Sequence, residues 1–260
     1  METSIFPKYE YTGISDFHAT ILIFSAKYAE GFLRFVPRKI RNFPSHGVDH
    51  SVSIIRLIND FTAKWDIQLT ETERFILYAA AWLHDIGCIR DRTPHNKFSV
   101  DILLKDQNIC DFFNSLDNDL LFILQYVIES HSSSYDINTV PETKGAVRVR
   151  LISAIFRFVD ACEITSFKCP EPVFSEIRND LRKEDGSLDI EAIEYWEGHM
   201  NIKDVGFSKP DIDIMINDSR KTKKIIARLR KEIKSIQHIF NENGIVVPVV
   251  QERARQDGID

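Results

Sequence analysis

The chain has 260 residues and a formal net charge of −6. Hydrophobic residues make up 43% of it and charged residues 28%, which is ordinary for a globular protein and allows a sizeable core. The negative balance argues against a nucleic-acid scaffold that works through bulk positive charge. No apolar run in the sequence approaches the roughly 18 residues that a membrane-spanning helix needs, so we expect no membrane contact.

The cysteines and residues 1–10 indicate the cellular compartment of the protein. The four cysteines include no CxxC pair, which favours reduced thiols in an intracellular protein. Residues 1–10 lack a basic segment followed by an apolar core, so we expect no secretory signal. The sequence therefore predicts a cytoplasmic protein.

The hydrophobic pattern predicts a mainly α fold. After a lead-in over residues 1–13, Ser15 is a suitable N-cap for a helix that runs to about Val36. Apolar residues recur in that helix at spacings of three and four, which predicts one buried face made of Phe17, Ile21, Phe24, Tyr28, Phe32 and Phe35. A second helix opens at residues 44–46. Thr70 and Glu73 form a capping box for the next helix, which ends at His84 and Asp85.

Three more helices are predicted in the central part of the chain: one begins near His95, and the others cover about 118–130 and 147–164. After residue 170 the pattern predicts two shorter helices, a β-hairpin over 200–217 and a long helix over 219–243. We predict a helical domain over 14–165. A small α/β extension over 166–260 is expected to pack against it.

Histidines are concentrated at the predicted helix ends. Five of the eight lie between residues 46 and 131: His46, His50, His84, His95 and His131. His84 and Asp85 close an apolar run, where an unpaired carboxylate would be strongly unfavourable and a divalent cation would remove that penalty. Asp160 closes a second apolar run. Helix ends meet at the rim of a helical bundle. The sequence thus predicts a metal site centred on His84 and Asp85.

The order of these residues resembles the HD superfamily of metal-dependent phosphohydrolases. The resemblance is carried by His50-Ser51, by the doublet in Leu83-His84-Asp85-Ile86-Gly87 and by Asp160 in Arg157-Phe158-Val159-Asp160-Ala161. It implies an HD-type bundle over 14–165 whose four-ligand metal site comprises His50, His84, Asp85 and Asp160. His95 and His131 match the additional histidines of members that bind two metals, in which Asp85 would bridge the ions.

Imidazole and carboxylate ligands suit one or two divalent ions of Mn, Fe, Zn, Ni or Co, with Mg as a further alternative. The resemblance implies hydrolysis of a phosphoester of a nucleotide or related small molecule by a metal-activated water. Asp85, His46 and Lys97 are the candidate catalytic residues, and Arg92, Lys97 and Arg157 the candidate substrate contacts. Two alternatives stay open: His46 has no role, or Arg157 forms a salt bridge elsewhere.

A second resemblance is to the HD-type domains of bacterial conflict systems. It is carried by the segment from Asp160-Ala161 to Cys169-Pro170 and by Tyr195-Trp196-Glu197-Gly198-His199. Some of those domains are encoded with or fused to GHKL-type ATPase domains, which implies such a partner here. Several two-metal relatives carry a Lys directly after the HD-Ile-Gly run, where this chain has Cys88. That difference argues against the cyclic-dinucleotide branch.

Other interpretations share the same ligands. The centre would also suit a nuclease, a di-iron oxygenase, or a ligand-sensing domain that signals to a partner ATPase. The basic helix over 220–234 fits a nucleic-acid face, but Glu232 and Glu242 interrupt the run of basic residues, and we favour a solvated face. The apolar side of that helix would suit a homodimer interface.

Overall fold

The computed structural model describes residues 10–39 and 47–254. The helices are α1 (Asp16–Leu33), α2 (Val36–Lys39), α3 (Val48–Lys64), α4 (Glu71–Leu83), α5 (His95–Lys105), α6 (Gln107–Leu116), α7 (Leu120–Ser130), α8 (Val149–Cys162), α9 (Glu171–Ile177), α10 (Ile190–Met200) and α11 (Ser219–Glu242). The strands are β1 (Ile202–Ser208), β2 (Asp211–Ile216) and β3 (Val249–Ala254). The predicted mainly α fold with a hairpin and a long late helix is confirmed.

Helix α1 departs from its prediction. It begins after the predicted N-cap, Ser15, but ends at Leu33, and Pro37 lies in the separate short helix α2. Its buried face is formed mainly by small and aliphatic residues: Ile21, Leu22, Ser25, Ala26, Ala29 and Leu33. Phe17 and Phe24 are 63% and 43% exposed, so the face predicted from the aromatic residues was partly wrong. Small side chains allow α1 to lie close against α4.

The N-terminus of α4 forms the predicted capping box. The Thr70 hydroxyl accepts from the Glu73 amide, and the Glu73 carboxylate accepts from the Thr70 amide. Arg148, just before α8, donates to the same carboxylate from its backbone amide and from its guanidinium. The Glu73 side chain is fully buried, so this ion pair ties the start of α4 to the start of α8.

The sheet has the order β1-β2-β3. β1 and β2 are antiparallel, with Val205 opposite Ile214, and they form the hairpin predicted over 200–217. β3 was not predicted; it runs parallel to β2, with Val250 opposite Ile212. Helix α11 makes the connection between these two parallel strands, as such a crossover requires.

One hydrophobic core extends from α1 to β3. Phe61 of α3 stacks at 4.5 Å, centroid to centroid, from Phe158 of α8 and at 5.6 Å from Phe207 of β1. Helix α11 packs against α8, so α11 and the sheet share the core of the helices, whereas Phe174 of α9 and Trp196 of α10 belong to a second, smaller cluster. The division at residue 165 stays a prediction. None of the helices in the described part of the chain is long and apolar enough to cross a bilayer.

Candidate metal centre

Five helix ends converge on one cluster of side chains. His50 lies in the first turn of α3, His84 follows the last residue of α4, and His95 is the first residue of α5. His131 follows the last residue of α7, and Asp160 lies in the last turn of α8. These segments lie up to 110 residues apart in sequence, yet their ligand atoms meet because the helices end at the same rim of the bundle.

The first half of the cluster comprises His50, His84, Asp85 and Asp160. The Nε2 atom of His50 lies 3.5 Å from Asp85 Oδ2, 3.3 Å from Asp160 Oδ1 and 3.2 Å from His84 Nε2. The Nε2 atom of His84 lies 3.3 Å from Asp85 Oδ2 and 3.8 Å from Asp160 Oδ1. These four residues are the set that the sequence predicted for one metal ion.

The second half is formed by His95, His131 and the other oxygen of Asp85. The Nε2 atom of His95 lies 3.3 Å from Asp85 Oδ1 and 2.8 Å from His131 Nε2. Asp85 Oδ2 faces the first half, so one carboxylate presents an oxygen to each half of the cluster. This is the arrangement that a bridging ligand requires.

Hydrogen bonds fix the same tautomer on each of the four histidines. The Nδ1 atoms of His84, His95 and His131 lie within hydrogen-bond distance of backbone carbonyls, those of Ala80, Arg92 and Ile128. His50 Nδ1 lies 3.1 Å from Glu163 Oε2. Because carbonyl and carboxylate oxygens only accept here, each Nδ1 carries a proton, and Nε2 is the ring atom that each histidine presents to the cluster.

This set of donors fits divalent cations. Nitrogen lone pairs 2.8 to 3.2 Å apart repel each other unless a cation or a proton lies between them. Ligands that bind one transition-metal ion at about 2.0–2.2 Å lie roughly 3–3.5 Å from each other, in the range seen here. In three overlapping groups, the ligand atoms lie within 4.8 Å of one another: His50, His84 and Asp160; His84, Asp85 and His131; and Asp85, Cys88 and His95. The buried cluster is compatible with divalent metal ions.

Burial and neighbouring charges alter the pKa values in the cluster. Burial raises the pKa of Asp160, but the histidines around it outweigh burial and hold it well below its usual range. Burial and the charges of His95 and His84 lower the pKa of His131 to about 3, so it stays neutral. Burial and Lys168 lower the pKa of His50, but Asp160 and Glu163 outweigh them and raise it to about 9. A bound cation would compete with that proton.

The cluster lies within a segment that matches a known protein family. The HD-CE family model matches residues 26–239, which include all six side chains of the cluster. The chain belongs to the HD-CE family. No curated protein matches it. The match supports the predicted resemblance to HD-type domains and suggests a hydrolase-like function. The bounds of the helical domain stay a prediction, and substrate and reaction belong to the proposal below.

In this HD-CE protein, a buried ion pair that the sequence analysis missed supports His50. Glu163, whose side chain is 5% exposed, contacts His50 Nδ1 at 3.1 Å and Lys168 Nζ at 2.9 Å. Burial raises the pKa of Glu163, but Lys168 and His50 outweigh burial and lower it to about 2. The carboxylate therefore stays charged and orients the imidazole. The available signal was the position of Glu163, which follows the last residue of α8 and lies three residues after Asp160.

The turn after His84-Asp85 is fixed by α5. The Ser99 hydroxyl donates to the carbonyl of His84 and accepts from the amide of Gly87. A Cβ atom at Gly87 would overlap the His95 carbonyl and the Ser99 amide. Glycine is therefore required where the turn crosses the first turn of α5. That crossing places His95 beside Asp85.

The cluster opens into a cavity of about 120 Å³. Asp85, His95, His131 and Asp160 contribute to its lining, as do six further charged residues: Arg92, Arg157, Glu163, Lys168, Arg228 and Glu232. Two of the three predicted substrate contacts, Arg92 and Arg157, thus border the cavity. Lys97 is exposed on α5 and is not part of this lining. His46 lies outside the described residues.

Arg157 holds the loop after His131. Its Nε donates to the carbonyl of Ser130, and its Nη2 donates to the carbonyls of Ser132 and Tyr135. The side chain is buried, and that burial lowers its pKa. The predicted alternative, a salt bridge elsewhere, is replaced by a set of carbonyl contacts that fixes one wall of the cavity.

Proposed function

We propose that the protein is a metal-dependent phosphohydrolase that cleaves a phosphoester of a nucleotide or related small molecule. The observation that carries the proposal is Asp85, which presents one oxygen to His50 and His84 and the other to His95, beside a cavity lined by three arginines. Divalent ions held by such a cluster would neutralise phosphoryl oxygens and activate a water molecule. The HD-CE match supports the same class of function.

The residues around the cluster would have separate roles in this reaction. Asp85 fixes the spacing of the two halves, and the Nδ1 partners of the four histidines keep their Nε2 atoms ready to bind without rearrangement. Arg92 and Arg228 lie on the cavity wall and would bind the phosphoryl group. Arg157 would act as a positioning residue through the loop after His131. The roles assigned to His46 and Lys97 stay predictions.

The basic residues of α11 favour the phosphohydrolase over the nuclease. Arg220, Lys221, Lys224 and Arg230 each form an ion pair with a nearby acidic side chain. Their charges are therefore partly neutralised, which agrees with a solvated face. The ATPase partner and the homodimer stay predictions, as does the oxygenase alternative.

The test is phosphate release from a panel of nucleotides and small phosphoesters by protein reconstituted with Mn, Fe, Zn, Ni or Co. We expect release by the wild type with at least one metal, and a loss of at least about 100-fold for Asp85→Asn, because that amide is a weak bridging ligand. Asp91→Asn is the matched control, since Asp91 is exposed on the following loop. Activity that survives in Asp85→Asn would refute the assignment, and oxygen consumption without phosphate release would favour the oxygenase.

A further inference from the structure

Helix α11 contributes one wall of the cavity beside the cluster. Ile225, Arg228, Leu229 and Glu232 line the cavity, and their spacing of three and four places them on one face of the helix. The sequence analysis treated Glu232 only as an interruption of a basic helix. In the structure it lies beside the candidate centre.

Glu232 is buried without full compensation. It is 6% exposed, and its Oε2 atom has no hydrogen-bond partner among the residues that the structure describes. Burial raises the pKa of Glu232, even though Arg157, Arg228 and a hydrogen bond to Ser133 act in the opposite direction. Buried carboxylate oxygens without a partner are rare in proteins, and the cavity that Glu232 lines is the place from which a ligand would supply the missing donor.

The cavity limits where that donor lies in the ligand. At about 120 Å³ it is smaller than the roughly 150 Å³ cavity that holds one benzene ring. Such a space accommodates a phosphoryl group and the first few atoms of the alcohol. With the phosphoryl group at the cluster, the atoms next to the ester oxygen would lie toward α11.

We propose that Glu232 is a specificity-determining residue that accepts a hydrogen bond from a hydroxyl or amino group close to the phosphoester of the substrate. The placement of the phosphate rests on the proposed function. Arg228, exposed at the mouth of the cavity, then contacts the phosphate or the outer part of the ligand. Phosphoesters that lack a donor at this position leave the carboxylate unpaired and bind more weakly.

The test uses phosphonates, which are not hydrolysed, so that binding is measured independently of activity. 2-Hydroxyethylphosphonate and ethylphosphonate differ by one donor, and both are small enough for the cavity. We expect metal-loaded wild type to bind the hydroxyl compound about 10- to 100-fold more tightly in calorimetric titrations. 2-Aminoethylphosphonate separates the two kinds of donor: a larger preference than for the hydroxyl identifies an amino donor, and a smaller one a hydroxyl donor.

Substitutions of Glu232 show whether this residue causes the preference for the hydroxyl compound. Glu232→Met removes both acceptors at similar volume and should reduce the preference to about onefold, with the affinity for ethylphosphonate unchanged within about twofold. Glu232→Gln keeps one acceptor oxygen and should retain part of the preference. Glu242→Met, an exposed glutamate of the same helix, is the control.

Three results would overturn the inference: an equal preference in wild type and Glu232→Met, no preference in the wild type, or no binding of any of these phosphonates. Thermal unfolding of each variant shows whether it is folded. Failure of the proposed function would instead appear as an absence of phosphate release from all phosphoesters, with the phosphonate preference intact.

Discussion

Single residues around the cluster act through the ligands they hold. Glu163 fixes the His50 tautomer through its contact with Nδ1, and Lys168 keeps Glu163 charged. The Nδ1 atom of His50 contacts the side chain of Glu163, whereas the Nδ1 atoms of the other three histidines contact backbone carbonyls, so the orientation of His50 depends on a side chain. This makes the His50 half of the cluster the more sensitive to mutation.

We expect Glu163→Gln to lower the affinity for the bound metal about 10- to 100-fold, because the amide no longer orients His50 as a charged acceptor does. Titration against a chelating dye measures the affinity. Glu176→Gln, an exposed glutamate of α9, serves as the control and should leave it unchanged. Equal affinities for wild type and Glu163→Gln would show that the contact does not support the ligand.

A substitution of Gly87 tests the close approach of the turn to α5. Its amide bonds to Ser99, and a Cβ atom would overlap backbone atoms of α5. We expect Gly87→Ala to lower the free energy of unfolding by about 1–3 kcal/mol in urea titrations, and to weaken metal binding because His95 moves. Gly31→Ala, in α1 with open space around it, should instead be neutral or slightly stabilising. A Gly87→Ala protein as stable as the wild type would contradict this account.

The hydrophobic pattern indicated His84, Asp85 and Asp160, because each of them closes an apolar run. The resemblance to the HD superfamily then implied the full set of six side chains. The sequence did not predict Ser99, Glu163 or Glu232 as parts of the site. Each of these has an ordinary sequence environment. Ser99 and Glu163 acquire their roles from partners 12 and 113 residues away, and Glu232 from the cavity that it lines. Hydrophobic periodicity locates helices, but it does not show which of their polar residues face each other.

Among the elements, α4 and α8 are joined by the buried Glu73. Burial raises the pKa of its carboxyl, but Arg148 outweighs burial and lowers it below the ordinary value of 4.5. Since these helices carry His84 and Asp160 at their opposite ends, this ion pair aligns two of the helices that form the cluster.

We expect Glu73→Gln to lower the free energy of unfolding by about 1–3 kcal/mol at pH 7, less than for a fully buried pair because the Arg148 side chain is 37% exposed. The folded-state pKa lies below the unfolded one, so the charged pair stabilises above about pH 4.5 and loses its effect as the pH falls below that value. Urea titrations of both proteins across pH 3 to 8 measure the difference. Glu30→Gln, exposed on α1, is the control, and a difference that does not depend on pH would contradict the assignment.

The pattern of elements was predictable to different degrees. The amphipathic helices and the hairpin have local signals, and the structure confirms them. β3 has a weak signal, because charged residues follow its two valines and its partner, β2, lies across α11. In α1 a clear aromatic pattern predicted a buried face that is partly exposed. Phe24 packs on Phe112 at the surface, at 4.5 Å between ring centroids, while alanines make the close contacts inside.

At the scale of the whole molecule, the C-terminal elements complete the helical bundle. Helix α11 and the sheet share its core, and the Trp65 indole donates to the carbonyl of Val246 over 2.8 Å. Helix α11 also supplies one wall of the cavity beside the cluster. A ligand bound there would contact residues from both the predicted helical domain and the predicted extension.

The most direct test of the central claim is the number of metal ions per chain, measured by elemental analysis after reconstitution and removal of excess metal. Because Asp85 presents one oxygen to each half of the cluster, we predict about two divalent ions per wild-type chain and fewer than about one in Asp85→Asn. A wild-type protein that retains no divalent metal, or an Asp85→Asn protein that retains as much as the wild type, would contradict the account.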